Sequence, residues 1–546
     1  MSRAPQLHVE LDSGERRKIS VVHNNQSLAN VLAAHAHLLN TRCGQRGLCR
    51  GCEVELRSGT AIVDGNAVAA PAIIKACRAR LESDAAILVP ARSRIAHRPQ
   101  VSETFEIAVP YAHQPLFPFV SGGRDTAFAV DVGTTTVVVL LLDLVTGEVL
   151  SPAGAFNEQI RFGDNVVTRI EAARQPEKLA AMQRAIVMET IQPLLAQACE
   201  RAGRGLERIA GGAIAGNTTM LHLLVGADPT PLGIAPFTPR FIAGRKVSAA
   251  DIKLQADGLA PETPIQLLPG IAAYIGADIT AGVFASGMVF DERPSLLVDI
   301  GTNGEIVLQS GGKLFGCATA AGPAFEGCGL RWGTRARDGA VSDLNLRLNP
   351  FSLETETIGG VPLAHANGLC GSAYVDFLAT ARSSGLLGVT GRFDSFVWGN
   401  LPAPNRFTDD GERALRLTDA NGAGALRVSE VDVALLLQAK AAIGAGIEVL
   451  LETAGIRAAE LGRVYLAGGF GMHLNVAHAI AIGLLPGFRE EQVHVVGNTS
   501  LAGALLALVD RTTLDEMENL RSQVEVIELN LADGFADRYV EHLMLP

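Results

Sequence analysis

At 546 residues the chain is too long for a single hydrophobic core, and length alone predicts roughly three domains. Hydrophobic residues make up 48% and charged residues 19%, the composition of a folded globular protein, which excludes a disordered chain. The net charge of −11 and the lack of a basic, aromatic-interleaved patch exclude a nucleic-acid partner, and no run of about 18 apolar residues marks a membrane span.

The charge is uneven. Residues 1–95 carry 13 Lys and Arg against 8 Asp and Glu, so the acidic excess lies in the remainder. The first twenty residues include Arg3, Glu10, Asp12, Glu15, Arg16, Arg17 and Lys18 with no apolar stretch, so a secretory signal is not expected. Eight cysteines in so long a chain do not make a disulfide framework. A reducing cytoplasm, with clustered thiols left for metal, is the expectation.

Gln6 to Leu11 alternates as a short strand, and Lys18-Ile-Ser-Val-Val predicts a second after a turn at Ser13-Gly14. Leu28 to Leu39 has helical spacing. Then comes Cys43-Gly-Gln-Arg-Gly-Leu-Cys49-Arg-Gly-Cys52, followed by a strand from Glu53, a turn at Ser58-Gly59 and a strand from Ala86. Together these predict a small α+β unit wrapped around a glycine-rich loop. Four thiolates, Cys43, Cys49, Cys52 and Cys77, suit zinc or an iron–sulfur cluster. Structural zinc usually takes two Cys-x2-Cys knuckles, and only Cys49/Cys52 is present. A clustered trio plus one distant cysteine is instead the ferredoxin arrangement for a [2Fe-2S] cluster, here with a first gap one residue longer than the plant pattern. Glycines at 44, 47 and 51 let backbone N–H groups point at the sulfurs. Idle thiols or structural zinc are the bland alternative. Arg42, Arg46 and Arg50 form a positive rim suited to steering an acidic protein partner, with chance solubility patterning as the alternative.

Pro99, Pro110, Pro115 and Pro118 interrupt the next stretch, which ends in Ser121-Gly-Gly and predicts a semi-stiff linker. Beyond it, Val130-Asp131-Val-Gly133-Thr134-Thr135 closes one apolar strand and opens another. Val298-Asp299-Ile-Gly301-Thr302-Asn303 does the same 168 positions later. This repeat predicts two similar lobes facing one another. In each turn the aspartate suits Mg2+ held mostly through water, the glycine opens the backbone to phosphate oxygens, and threonine hydroxyls add donors. One such turn would be a plain hairpin; two copies after apolar strands predict a phosphate clamp. Gly216-Asn217-Thr218-Thr219 breaks another apolar strand. Asp164 is expected to cap the helix from Val166, and Asp278 either positions a water or caps the helix that follows. Cys317, Cys328 and Cys370 lack ligand spacing and predict buried small residues. Asp432 to Glu452 predicts a long helix in which Gly444 and Gly446 permit close packing against a ligand or strand. The strand that follows ends in Ala467-Gly468-Gly469-Phe470-Gly471, suited to a nucleotide base or ribose against bare backbone.

Two Asp-x-Gly-Thr turns and a late Ala-Gly-Gly resemble the phosphate-1, phosphate-2 and adenosine motifs of the acetate kinase, sugar kinase, heat-shock chaperone and actin (ASKHA) superfamily. Joined to the cysteine domain, the whole chain resembles the reductive activators of corrinoid proteins. Asp-Val-Gly-Thr-Thr, Gly-Asn-Thr-Thr-Met, Asp-Ile-Gly-Thr-Asn-Gly-Glu, Ala-Gly-Pro-Ala-Phe-Glu-Gly and Leu-Ala-Gly-Gly-Phe-Gly carry the likeness. Arg331-Trp332 departs from the small residues expected beside its loop.

The resemblance implies an α+β ferredoxin-like (β-grasp) domain over 1–95 and a linker over 96–125. An α/β ASKHA fold then follows, with a first ribonuclease-H-like lobe over 126–230, a connecting region over 231–294 and a second, ATPase lobe over 295–546. It implies a [2Fe-2S] cluster on the four cysteines and ATP–Mg2+ on Asp131, Gly133, Thr134, Thr135, Asn217, Thr218, Asp299, Gly301, Thr302, Asn303, Gly468 and Gly469. The catalytic base stays open among Glu305, Asp278 and Asp131. The implied activity is ATP-dependent one-electron reduction of a Co(II) corrinoid to Co(I) in a methyltransferase system, fed by an external low-potential donor, with homodimerisation left open. A small-molecule kinase with a regulatory iron–sulfur domain, or a non-redox ATP-dependent binding partner of a corrinoid protein, are the alternatives. The resemblance also implies why ATP is needed: the family's cobalt couple lies below the roughly −400 mV of a plant-type cluster. Each ~59 mV of one-electron mismatch costs a factor of about ten in equilibrium.

Overall fold

The computed structural model describes all residues except 1–4, 12–13, 22–25, 36, 38, 40–44, 46, 48–51, 91–92, 94–104, 110, 112, 410 and 419–424. Cys43, Cys49, Arg42, Arg46 and Arg50 lie outside the described residues. The chain divides into two compact units, residues 1–97 with 159–172, and residues 98–158 with 173–546.

In the first unit, Gln6–Leu11 pairs antiparallel with Arg16–Ser20 and parallel with Ala85–Val89. Glu53–Ser58 joins the far side of Ala85–Val89 and carries Ala72–Lys75 on its own outer edge. Alternation sets the faces: Leu7, Val9 and Leu11 are buried while His8 is exposed. The helix Leu28–Ala34 is shorter than its apolar run predicts. It starts on Ser27, whose side chain accepts the Asn30 N–H, and buries Leu28, Val31 and Leu32 in the same core before ending at His35. The helix Val166–Ala173 is capped by Asn165 rather than Asp164, because Asn165 Oδ1 accepts the Thr168 N–H at 2.9 Å. Asp164 lies one residue too early for that bond.

The second unit holds two six-stranded sheets that share one five-strand plan. In the first, Val149–Phe156, Thr136–Asp143 and Thr126–Val132 form an antiparallel meander, and Ile209–Gly216 adds in parallel. Pro264–Leu267 extends it in parallel, with Arg245–Ser248 at the edge. In the second, Lys313–Thr319, Gly304–Ser310 and Ser295–Ile300 repeat the meander, and Arg463–Ala467 and Val493–Gly497 repeat the parallel pair. The first lobe therefore runs past residue 230. Strands 245–248 and 264–267, expected within a connecting region, belong to its sheet. Four-residue strands carry too little alternation to stand out in sequence.

Of the segment expected as a linker, Gln114 and Leu116 donate backbone hydrogen bonds of 2.9 Å to Val509 and Leu508, and Phe117 is buried against Gly211. Among the described residues, Glu430–Thr453 is the one helix long and apolar enough to cross a membrane, yet 78% of its most apolar window is buried inside the fold. A capping box between Ser429 and Asp432 starts it. Gly446 packs on Thr319 and Ile306, and Gly444 on His542, so both glycines serve packing within the fold. Trp332 is buried in this lobe's core, and the Arg331 N–H donates to Asp432 at 2.7 Å, which accounts for the bulky pair. Cys317, Cys328 and Cys370 are buried.

The lobes meet through two helices, Ala277–Ala285 and Thr499–Val509. They approach closely because a Cβ on Gly503 would lie 2.4 Å from that of Ala281. Each helix follows the second strand of the parallel pair in its own lobe, Pro264–Leu267 or Val493–Gly497, so its first turn is delivered to the cleft.

Candidate functional site

The cleft is lined by acids that the topology gathers from both halves of the repeat. Asp131 is the penultimate residue of its strand, with Oδ1 accepting the Ser500 hydroxyl at 2.8 Å and Oδ2 accepting Asn498 Nδ2 at 2.9 Å, so a first-lobe acid is held by the start of the second lobe's helix. Asp299 has a different neighbourhood. Ile300 pairs with Gly304, which places Glu305 directly across the strand pair from Asp299. In the first lobe the hairpin is longer, Val132 pairs with Val137, and apolar Val138 lies across from Asp131. A one-residue difference in turn length thus makes one side of the cleft acidic.

The electrostatics follow from that placement. Burial first, then Asp299 and Asp131, push the Asp278 carboxyl up to about 8. Burial, then Asp131 and Glu326, push Asp299 up to about 7. Glu305 is raised well above the usual carboxylate range by burial and then by Asp278 and Asp299, with the Asn303 side chain pulling the other way. Asp131 is raised by burial and drawn back by Ser500 and Asn498. Like charges gathered in a poorly solvated cleft are what a divalent cation relieves. Among the described residues no three His, Cys, Asp or Glu side chains converge at ligand distance.

Around the acids stand the predicted phosphate-turn residues. Thr135 and Thr302 both donate their hydroxyls to Glu326 Oε2, at 2.9 and 3.0 Å. Thr134 accepts from Asn217 Nδ2 at 3.0 Å, while Asn217 Oδ1 caps the helix Thr218–Leu224. The Thr218 hydroxyl donates to the Ala272 carbonyl at 2.8 Å and so is engaged within the fold. Asn157 Nδ2 braces the Gly133 carbonyl at 2.9 Å, and the Gly301 N–H closes its own turn on Asn303. Gly468 adopts φ +88°, and a Cβ there would lie 2.5 Å from Asp299 Oδ1, so the residue must be glycine on both counts. The space around Gly469 is open. Asp278 sits in the first turn of its helix, whose cap is Gly276.

Asn498, Ser500, Asn157 and Glu326 were not predicted as site residues. A signal existed for the first two. Gly497-Asn498-Thr499-Ser500 is a second copy of Gly216-Asn217-Thr218-Thr219, each ending a strand with an asparagine that caps the next helix. Glu326 has no such repeat.

In the first unit, Cys52 and Cys77 are buried. Glu53 pairs with Lys75, and the Ala76 N–H donates to the Cys52 carbonyl at 3.0 Å, so the sheet register brings both cysteines to one end of the sheet. Lys75 Nζ donates to the Gly47 carbonyl at 2.6 Å. Two of the four predicted thiol ligands thus share a buried edge of the sheet.

Comparison with known proteins adds the following. Residues 126–291 match the model described as the RACo middle region, and residues 293–546 match that of the C-terminal domain of RACo, the ASKHA domain. The corrinoid activation enzyme RamQ of Eubacterium limosum is 32% identical over 426 residues, covering 76% of this chain and 70% of that protein. A reductase of the Co(II) methylated amine-specific corrinoid protein from Methanosarcina barkeri is 26% identical, covering 74% of each. A solved reductive activator for a corrinoid, iron–sulfur protein superposes with a TM-score of 0.71 at 29% identity, over 99% of this chain and 98% of that one.

Proposed function

The chain belongs to the RACo family of corrinoid activators, and from that premise we propose that it restores Co(I) in the corrinoid protein of a methyltransferase system. Single electrons would pass from a [2Fe-2S] cluster to the Co(II) corrinoid, with ATP hydrolysed on the way. Cys43, Cys49, Cys52 and Cys77 would hold the cluster in a β-grasp ferredoxin-type domain, a reading supported by the strand order 16–20, 6–11, 85–89, 53–58, 72–75. Such a cluster, when bound, supplies one-electron storage. The observation that carries the proposal is the Ala76-to-Cys52 hydrogen bond that sets two buried cysteines at one sheet edge. A kinase on the same ATPase fold needs no such pair.

In the cleft, Thr135 and Thr302 would bind phosphate oxygens, Gly468 and Gly469 would admit the nucleoside, and Asp299 with Asp278 would hold Mg2+ through water. Glu305 and Asp278 are the groups proposed to orient the attacking water. Arg42, Arg46 and Arg50 would steer an acidic donor or partner toward the cluster loop. The setting is a reducing cytoplasm. ATP turnover would change how the corrinoid partner docks, which makes an otherwise uphill transfer feasible.

The test is an anaerobic spectroscopic titration of a Co(II) corrinoid protein with the full chain, a low-potential donor and Mg–ATP. Co(I) is expected only when donor and Mg–ATP are both present. Co(I) formation at full rate by an Asp299→Ala variant that hydrolyses no ATP would sink the proposal.

A further inference from the structure

A carboxylate stands between the two Asp-x-Gly-Thr turns. Glu326 Oε2 accepts the Thr135 hydroxyl at 2.9 Å and the Thr302 hydroxyl at 3.0 Å, one from each lobe. Two hydroxyl donors converging on one anionic oxygen is also how a phosphoryl oxygen would be held. A cation is tied to this corner through the backbone and one ring. Gly327, next to Glu326, is packed on the Thr334 backbone, since a Cβ there would lie 2.3 Å from Thr334 O. Arg335 follows Thr334, and its guanidinium lies 5.7 Å over the ring of Phe156. Phe156 in turn pairs across the sheet with Thr136, adjacent to Thr135. Nε and Nη2 of Arg335 are buried without a hydrogen-bond partner. A guanidinium is always charged, and buried N–H groups on a charge are costly until an anion meets them.

We propose that Glu326 is a stand-in for a phosphoryl group, and that Thr135, Thr302 and Arg335 form the subsite for the terminal phosphoryl of a nucleoside triphosphate or for free orthophosphate. The inference rests on the ATP-binding reading above and deepens it. On entry, phosphoryl oxygens take over the two hydroxyls, like-charge repulsion expels Glu326, and the two buried N–H groups of Arg335 gain a bidentate anion. A bridge between lobes made by the protein is exchanged for one made by the ligand. The loop that carries Glu326 continues to Arg331, whose N–H is fixed to Asp432 on the long helix at 2.7 Å, so the displacement has a route to that helix.

Calorimetric titration of the full chain in Mg2+ with ADP, a β,γ-imido triphosphate analogue and orthophosphate tests this. Arg335→Gln is expected to weaken the analogue about tenfold or more while ADP shifts by less than about twofold, and Arg335→Lys to recover only part of the loss. Glu326→Gln is expected to tighten the analogue by roughly tenfold, since the resident charge is gone. Orthophosphate that binds wild type and is weakened by Arg335→Gln assigns the subsite to released phosphate as well; orthophosphate that does not bind assigns it to the triphosphate alone. Equal shifts for ADP and analogue, or none, overturn the subsite. Wild-type protein that binds neither nucleotide overturns the ATP reading itself. Melting curves establish folding, and if Arg335→Gln does not fold, the Glu326→Gln arm decides.

Discussion

A carboxyl whose pKa rises on folding is one the native state prefers protonated. Asp278, pushed up to about 8, and Asp299, pushed up to about 7, keep protons over a range in which the unfolded chain has already lost them. The folded state then binds more protons than the unfolded one, so stability falls as pH rises from about 4 toward about 8. The Tm of the nucleotide-free protein is therefore expected to decline between about pH 5 and pH 8, and Mg–nucleotide to flatten that decline by supplying the missing positive charge. Asp278→Asn removes one of the repelling acids. It is expected to raise the nucleotide-free Tm at pH 8 and to lower ATP hydrolysis by about tenfold or more, the usual trade between stability and function at a site of gathered charge. A Tm flat across this range, or a variant with the wild-type slope, would show that these acids are not protonated in the fold.

Among elements, the two crossing helices decide how the acids of opposite lobes meet. Gly503 leaves no room for a side chain against Ala281, while the first turns of the same two helices carry Ser500 and Asp278. Gly503→Val is expected to cost about 1–3 kcal/mol by overpacking, read from urea unfolding. It should also lower ATP hydrolysis more than that loss alone explains, because Asp131 is drawn away from Asn498 and Ser500. Wild-type hydrolysis in a destabilised variant would mean the crossing does not set the cleft. The same helices show what the chain discloses locally. Val130-Asp131-Val-Gly133 and Val298-Asp299-Ile-Gly301 were legible because strand and turn are written in adjacent residues, and so was the long helix, observed as Glu430–Thr453. The bonds that finish the site join Thr135 to Glu326 across 191 positions and Asp131 to Asn498 across 367, and no local pattern carries such a pairing. The Asp164 cap missed by one residue for a smaller reason: Asp164 and Asn165 are both good caps, and only the backbone chooses between them.

For the molecule as a whole, membership of the family sets a thermodynamic requirement. If ATP changes the affinity for a corrinoid protein, that protein must change the affinity for ATP by the same factor. A one-electron gap of about 120 mV amounts to about a hundredfold in equilibrium, so coupling through docking has to approach that size to close it. The four cysteines and the acidic cleft should then be separable. Cys52→Ser is expected to abolish Co(I) formation while the full chain still binds a β,γ-imido triphosphate analogue more tightly when the Co(II) corrinoid protein is present, because the linkage is one of binding and needs no electron. Paired titrations with and without the corrinoid protein measure it directly. A shift that vanishes with the cysteine would mean the redox centre itself reports to the cleft. The absence of any shift in wild type would mean that docking is not where ATP acts, and the uphill step would then need its free energy delivered after the complex has formed.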